Sequence, residues 1–168
     1  MTTALPVFST IHAHDIESQL STLLTRHREQ ITTLLKNMET PTWETLMAPL
    51  EKYSAELHNF WSPISHLHNV KDSEDLRTAY LTCLPKLSEF STWLGHHHGL
   101  FEALHQLKAS EHFNHLDTAQ QTIINNELRD YKLAGIDLSP TDKERYATIA
   151  TELSTLSSQF EANLLDTT

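Results

Sequence analysis

Apolar side chains recur along this chain in steps of three and four, the spacing that gathers them on one side of an α-helix. The first stripe uses Ile16, Leu20, Leu23, Leu24, Ile31, Leu34 and Leu35 and predicts a helix from about Ala13 to Met38. Thr40-Pro41-Thr42 interrupts it. Thr42 offers an oxygen for an N-cap, and Glu44 falls in the positive first turn of the next helix. Leu46, Leu50, Tyr53, Leu57, Phe60, Trp61, Ile64 and Leu67 continue the pattern through Pro49 and Pro63. Each proline removes an internal hydrogen bond and is expected to kink or divide the helix. Lys71-Asp72-Ser73 reads as loop and cap before a stripe of Leu76, Ala79, Tyr80, Cys83, Leu84, Leu87, Phe90 and Leu94. Pro85 predicts a further kink, and Gly95 a stop or bend. A shorter helix follows on Leu100, Phe101, Leu104 and Leu107.

Two later starts are well signed. Asp117-Thr118-Ala119-Gln120 is close to a capping box and opens a helix through Ile124, Leu128 and Tyr131 that ends near Gly135. Ser139-Pro140-Thr141-Asp142 places a cap, a first-position proline and an acid ahead of Tyr146, Ile149, Ala150, Leu153, Leu156 and Phe160. No segment alternates with a strand's period of two. The pattern predicts an all-α fold: one domain, residues 1–168, built as a bundle of six or seven kinked antiparallel helices.

Composition sharpens this picture in three places. Three glycines in 168 residues are too few for a hairpin-rich fold or a phosphate-cradling loop. A net charge of −10, with no long run of Lys and Arg, argues against nucleic acid and anionic membranes as partners. The single cysteine, Cys83, cannot form an internal disulfide and lies at a core position of its stripe. No basic segment followed by an apolar run opens the sequence, and no stretch approaches about 18 apolar residues. A cytoplasmic protein is expected.

Candidate chemistry centres on the histidines, of which there are twelve. His96-His97-His98 cannot converge on one ion from a helix, because neighbours point about 100° apart; a solvated helix start is expected instead. His98, Glu102 and His105 share a helix face at i, i+4 and i+7, and His112 with His115 would have to complete a bundle metal site from a second helix. No Glu-x-x-His repeat supports that. His-Glu-x-x-His, Cys-x-x-Cys, Gly-x-Ser-x-Gly and both glycine-rich nucleotide motifs are missing from the sequence. The expectation is therefore no catalytic residue, no metal ligand and no cofactor in this chain, with substrate contacts unknown. Trp43, Tyr53, Phe60, Trp61, Tyr80, Phe90 and Trp93 read as core packing, and most acidic residues as solvated faces.

Several segments resemble the thimet-oligopeptidase-like zinc metallopeptidases, most closely their bacterial members. The strongest is Phe60-Trp61-Ser62-Pro63-Ile64-Ser65-His66-Leu67-His68-Asn69-Val70, similar to a family helix ending Ser-Pro-Val-Ser-His-Leu-Asn-Ser-Val. Thr42-Trp43-Glu44, Leu84-Pro85, Leu87 through Gly95, Leu128-Arg129-Asp130, Arg145-Tyr146 and Leu165-Asp166 follow in the family's order, and Leu5-Pro6 with Phe8-Ser9 resembles its start. The resemblance implies the family's amino-terminal helical region, which forms one wall of a narrow channel admitting short peptides. It also implies that zinc, its ligands and the catalytic base lie in a part of the longer enzyme with no counterpart here. Implied partners are the remainder of an oligopeptidase chain and short peptides. Such a piece is expected to show a bare apolar patch larger than a typical monomer's, open to self-association, with fraying at Leu164 and Leu165. Two other functions compete: a stand-alone helical interaction module, and a small metal-binding bundle built on the histidines.

Overall fold

A computed structural model describes residues 6–167, with side chains through Leu164; Leu5 and the side chains of Leu165 and Asp166 lie outside the described residues. After a single 3-10 turn, Phe8–Thr10, the chain forms α1 (Ala13–Asn37), α2 (Ala48–Val70), α3 (Glu74–Gly95), α4 (His98–Ala109), α5 (Glu111–His115), α6 (Thr118–Leu133) and α7 (Pro140–Thr167). No strand occurs among the described residues.

The caps form where the sequence places them. Thr42 Oγ1 accepts from Thr45 N–H, and Thr45 Oγ1 accepts in return from Thr42 N–H at 2.8 Å. Asp117 and Gln120 make the same reciprocal pair. Ser73 and Ser139 cap α3 and α7 through Leu76 N–H and Asp142 N–H. Gly135 closes α6 with φ +87°, where a Cβ would strain the backbone and collide with Leu138.

The prolines behave differently from one another. Pro49 sits at the junction where a π turn, Trp43–Met47, runs into the first turn of α2. Pro63 and Pro85 lie inside α2 and α3, and neither divides its helix. Glu111–His115, which the periodicity leaves unassigned, is a one-turn helix of its own.

Two apolar clusters hold the bundle together. Ile16, Leu20 and Leu24 of α1 pack with Ile64 of α2 and Leu76, Cys83 and Phe90 of α3. Further along α1, Ile31 joins Leu46, Met47, Leu100, Leu104, Leu107, Ile124 and Leu128. Trp93 and Leu94 pack against both clusters, so α1 and the end of α3 tie the two halves. The principal neighbour of α7 is α3. Its half-buried side carries Ala147, Ala150, Ser154 and Ala162, with Ser158 buried. Ile149, Leu153, Leu156, Phe160 and Leu164 are 52–69% exposed. Of the apolar stripe read from the sequence of this helix, Tyr146 and Ala150 are half-buried, while Ile149, Leu153, Leu156 and Phe160 are not core. α7 is still helical at Leu164.

Candidate functional site

Several of the histidines join one helix to another. His96 Nε2 donates to Ala134 O at 2.7 Å, fixing the end of α3 to the end of α6. His97 is the N-cap of α4, its Nδ1 accepting from Leu100 N–H at 3.3 Å, and burial pushes its imidazole below the ordinary range. His98 Nε2 accepts from Lys143 Nζ of α7 at 3.0 Å. Three neighbours thus point three ways, as helix geometry requires. The expected helix start is present, with His97 as cap and His98 exposed at the first position of α4, but His96 and His97 are half-buried and each ring has a structural partner.

Two further rings are buried, which the sequence pattern does not reveal. His27 of α1 is 1% exposed, and its Nε2 donates to Glu56 Oε2 of α2 at 3.0 Å. Arg26 binds the other Glu56 oxygen. The His27 hydrogen bond, aided by the Arg26 charge, holds the Glu56 carboxyl below its usual range. Glu56 is therefore not part of a merely solvated acidic face. Its signal lies in the spacing of Tyr53 and Leu57 on the α2 stripe: Glu56 borders that stripe and faces a histidine set among Leu23, Leu24 and Ile31. His68 of α2 is 4% exposed and stacks on Tyr80 at 4.1 Å; Tyr80 also stacks on Trp61 at 5.0 Å.

The candidate metal groupings do not assemble. His98 is engaged with Lys143, and His105 meets the Phe101 ring edge-on at 4.6 Å. His112 Nε2 accepts from Trp43 N–H at 3.2 Å and lies 3.6 Å from Glu44 Oε2. Among the described residues no three His, Cys, Asp or Glu side chains come together as a metal-holding group. The zinc implied by the resemblance thus has no set of ligands among these side chains. Cys83 is buried, and its thiol is pushed up to about 11, chiefly by that burial. At neutral pH it stays protonated and unreactive.

An open groove of about 600 Å³ runs along α2. Leu57, Trp61 and Leu87 supply apolar surface, while Ser54, Ser62 and Ser65 present hydroxyls beside His58 and His66. Most helical Ser and Thr hydroxyls with a bond turn inward to the carbonyl four residues earlier, as in Ser21, Thr32, Thr78 and Thr122. Among the described residues, Ser54, Ser62 and Ser65 make no such bond and none to a histidine. The groove therefore offers uncommitted hydrogen-bond groups over an apolar floor but no base-activated nucleophile. A smaller groove of about 340 Å³ lies where Arg26, Glu56 and Phe60 meet the start of α1.

Comparison with known proteins adds an independent line. Residues 20–143 match the family described as Neurolysin/Thimet oligopeptidase, N-terminal domain. The chain is 45% identical over 164 residues to oligopeptidase A of Haemophilus influenzae, covering 98% of this chain and 24% of that protein. It is 41% identical to oligopeptidase A of Escherichia coli over the same shares. Identity to a probable cytosolic oligopeptidase A of Arabidopsis thaliana is 32%, covering 97% of this chain and 23% of that protein. The chain spans about a quarter of the length of these curated relatives.

Proposed function

This chain belongs to the neurolysin/thimet oligopeptidase family as its N-terminal domain, and from that premise we propose that it is the non-catalytic wall of a channel in a peptide-hydrolysing enzyme. The observation that carries the reading is the pairing of an end-to-end match with a quarter-length span. Hydrolysis of an amide needs a metal-activated or base-activated nucleophile. Three of the histidines are committed to structure, His27 with Glu56, His96 with Ala134 and His97 as the cap of α4, and among the described residues the groove histidines His58 and His66 are bonded to no hydroxyl they could activate. The zinc chemistry of the family belongs, on this reading, to the remainder of a longer cytoplasmic polypeptide, and residues 1–168 act as one domain beside it.

The wall's work is steric and polar. The packed helices, with their two apolar clusters, make a partition that excludes folded substrates without touching the reacting bond. We assign the α2 groove to the passing peptide. Its free hydroxyls and rings suit main-chain amides, and its Trp61 floor suits apolar side chains without selecting one sequence.

The test is a fusion of this chain to the remaining three-quarters of the Haemophilus influenzae relative. The fusion is expected to cleave a short peptide and to spare the same sequence embedded in a folded protein. Equal cleavage of both would refute the wall function.

A further inference from the structure

The outer side of α7 has no task inside this domain. Ile149, Leu153, Leu156, Phe160 and Leu164 recur at i, i+4, i+7, i+11 and i+15. At 3.6 residues per turn they lie within an arc of about 80° and form a ridge about 22 Å long. The inward side of α7 is roughly opposite; it carries Tyr146 near its start, against His96, and beyond it small residues such as Ala150, Ser154, Ser158 and Ala162. A helix evolved to end in solvent would place its large apolar residues inward and its serines outward. From Ile149 onward this one sets its large apolar residues outward and keeps Ala150, Ser154, Ser158 and Ala162 inward.

We propose that this ridge is the docking seam for an apolar helix in the polypeptide that the longer relatives carry beyond the matched region. The inference rests on the N-terminal-domain reading above. Area decides between this occupant and a second copy of the chain. Five side chains at 52–69% exposure present on the order of 500–600 Å² of apolar surface. That is the upper end of what monomers show, not beyond it, so the expected oversized patch is only a full-sized one. A stable complex of separate proteins buries about 800 Å² on each partner and must offset lost translational freedom. A segment in the same polypeptide carries no such cost, and a ridge of this size is sufficient for it. The relatives supply that segment: their matched region is 24% of their length.

The test is hydroxyl-radical footprinting of Leu153, Leu156 and Phe160 in the isolated chain and in the fusion to the remainder of the Haemophilus influenzae relative. Labelling is expected to fall roughly tenfold in the fusion, toward the level of the buried core leucines. Sedimentation of the isolated chain is expected to show a monomer. Undiminished labelling in the fusion, a fusion that does not fold, or an isolated dimer that Leu153→Lys with Phe160→Lys dissociates would each overturn the proposal. Peptide selectivity of the same fusion reports separately on the wall function: protection without size discrimination leaves the seam standing and removes the function.

Discussion

Replacing Glu56 with alanine should loosen the joint between α1 and α2 by more than the loss of a surface ion pair. The carboxylate itself is 44% exposed, so its attraction to Arg26 is screened and contributes about 0–1 kcal/mol. Most of the cost arises at His27, whose ring is 1% exposed and whose Nε2–H has the Glu56 oxygen, 3.0 Å away, as its partner. Without that oxygen a buried donor is left unsatisfied, at about 1–3 kcal/mol. A total near 2 kcal/mol should lower the melting temperature by roughly 4–8 °C for a domain of this length. The assay is thermal unfolding in a double-mutant cycle with His27→Leu, which removes the donor. In that background Glu56→Ala should cost about 0.5 kcal/mol or less. An equal cost in both backgrounds would refute the argument. The pH dependence follows from the lowered Glu56 carboxyl. Its stabilisation is present above the unfolded value near 4.3 and is lost as pH falls through the lower folded value. The difference between wild type and Glu56→Ala should shrink accordingly in acid.

Other outcomes are expected from the same geometry. Gly135→Ala forces a side chain onto φ +87° beside Leu138 and should cost about 1–2 kcal/mol, read from the urea midpoint. Burial holds the His97 imidazole below its ordinary value, so the unfolded chain binds that proton first. The stability it provides is complete above pH about 6.5 and declines as pH falls through the folded value. His97→Asn keeps a capping acceptor for Leu100 N–H and should flatten the stability profile below about pH 6.5, as measured by chemical denaturation. Leu104→Ala, in the core shared by α4 and α6, should cost about 2–5 kcal/mol in the same assay. Added zinc should leave the melting temperature unchanged, because no three ligands meet among the described residues; a saturable rise would revive the metal-bundle reading.

How much of this was legible in the sequence depends on the range of the interaction. The caps at Thr42, Ser73, Asp117 and Ser139 bond within three residues of themselves, so local chemistry determines them. The α1, α4 and α6 stripes give the core because those helices bury one side each. The Ile149, Leu153, Leu156 and Phe160 part of the α7 stripe has the same period but faces outward, since periodicity reports that a face is apolar and not what covers it. Likewise the i, i+4 and i+7 spacing of His98, Glu102 and His105 puts them on one side of α4 but cannot show that Lys143 and Phe101 occupy two of them. The burial of His27 and His68 depends on partners 29 and 12 residues away, Glu56 and Tyr80, and a histidine on an apolar stripe carries no mark of such a partner. The resemblance located the domain in its family because an ordered set of short matches is readable without any contact being known.

Purified, tag-free chain incubated with short peptides and zinc, and followed by mass spectrometry, puts the division of labour to its most direct trial. The peptides should emerge intact from this chain and be cut by the fusion that supplies the remaining polypeptide. Cleavage by the chain alone, abolished by a chelator, would contradict the assignment of wall and chemistry to different parts of the protein.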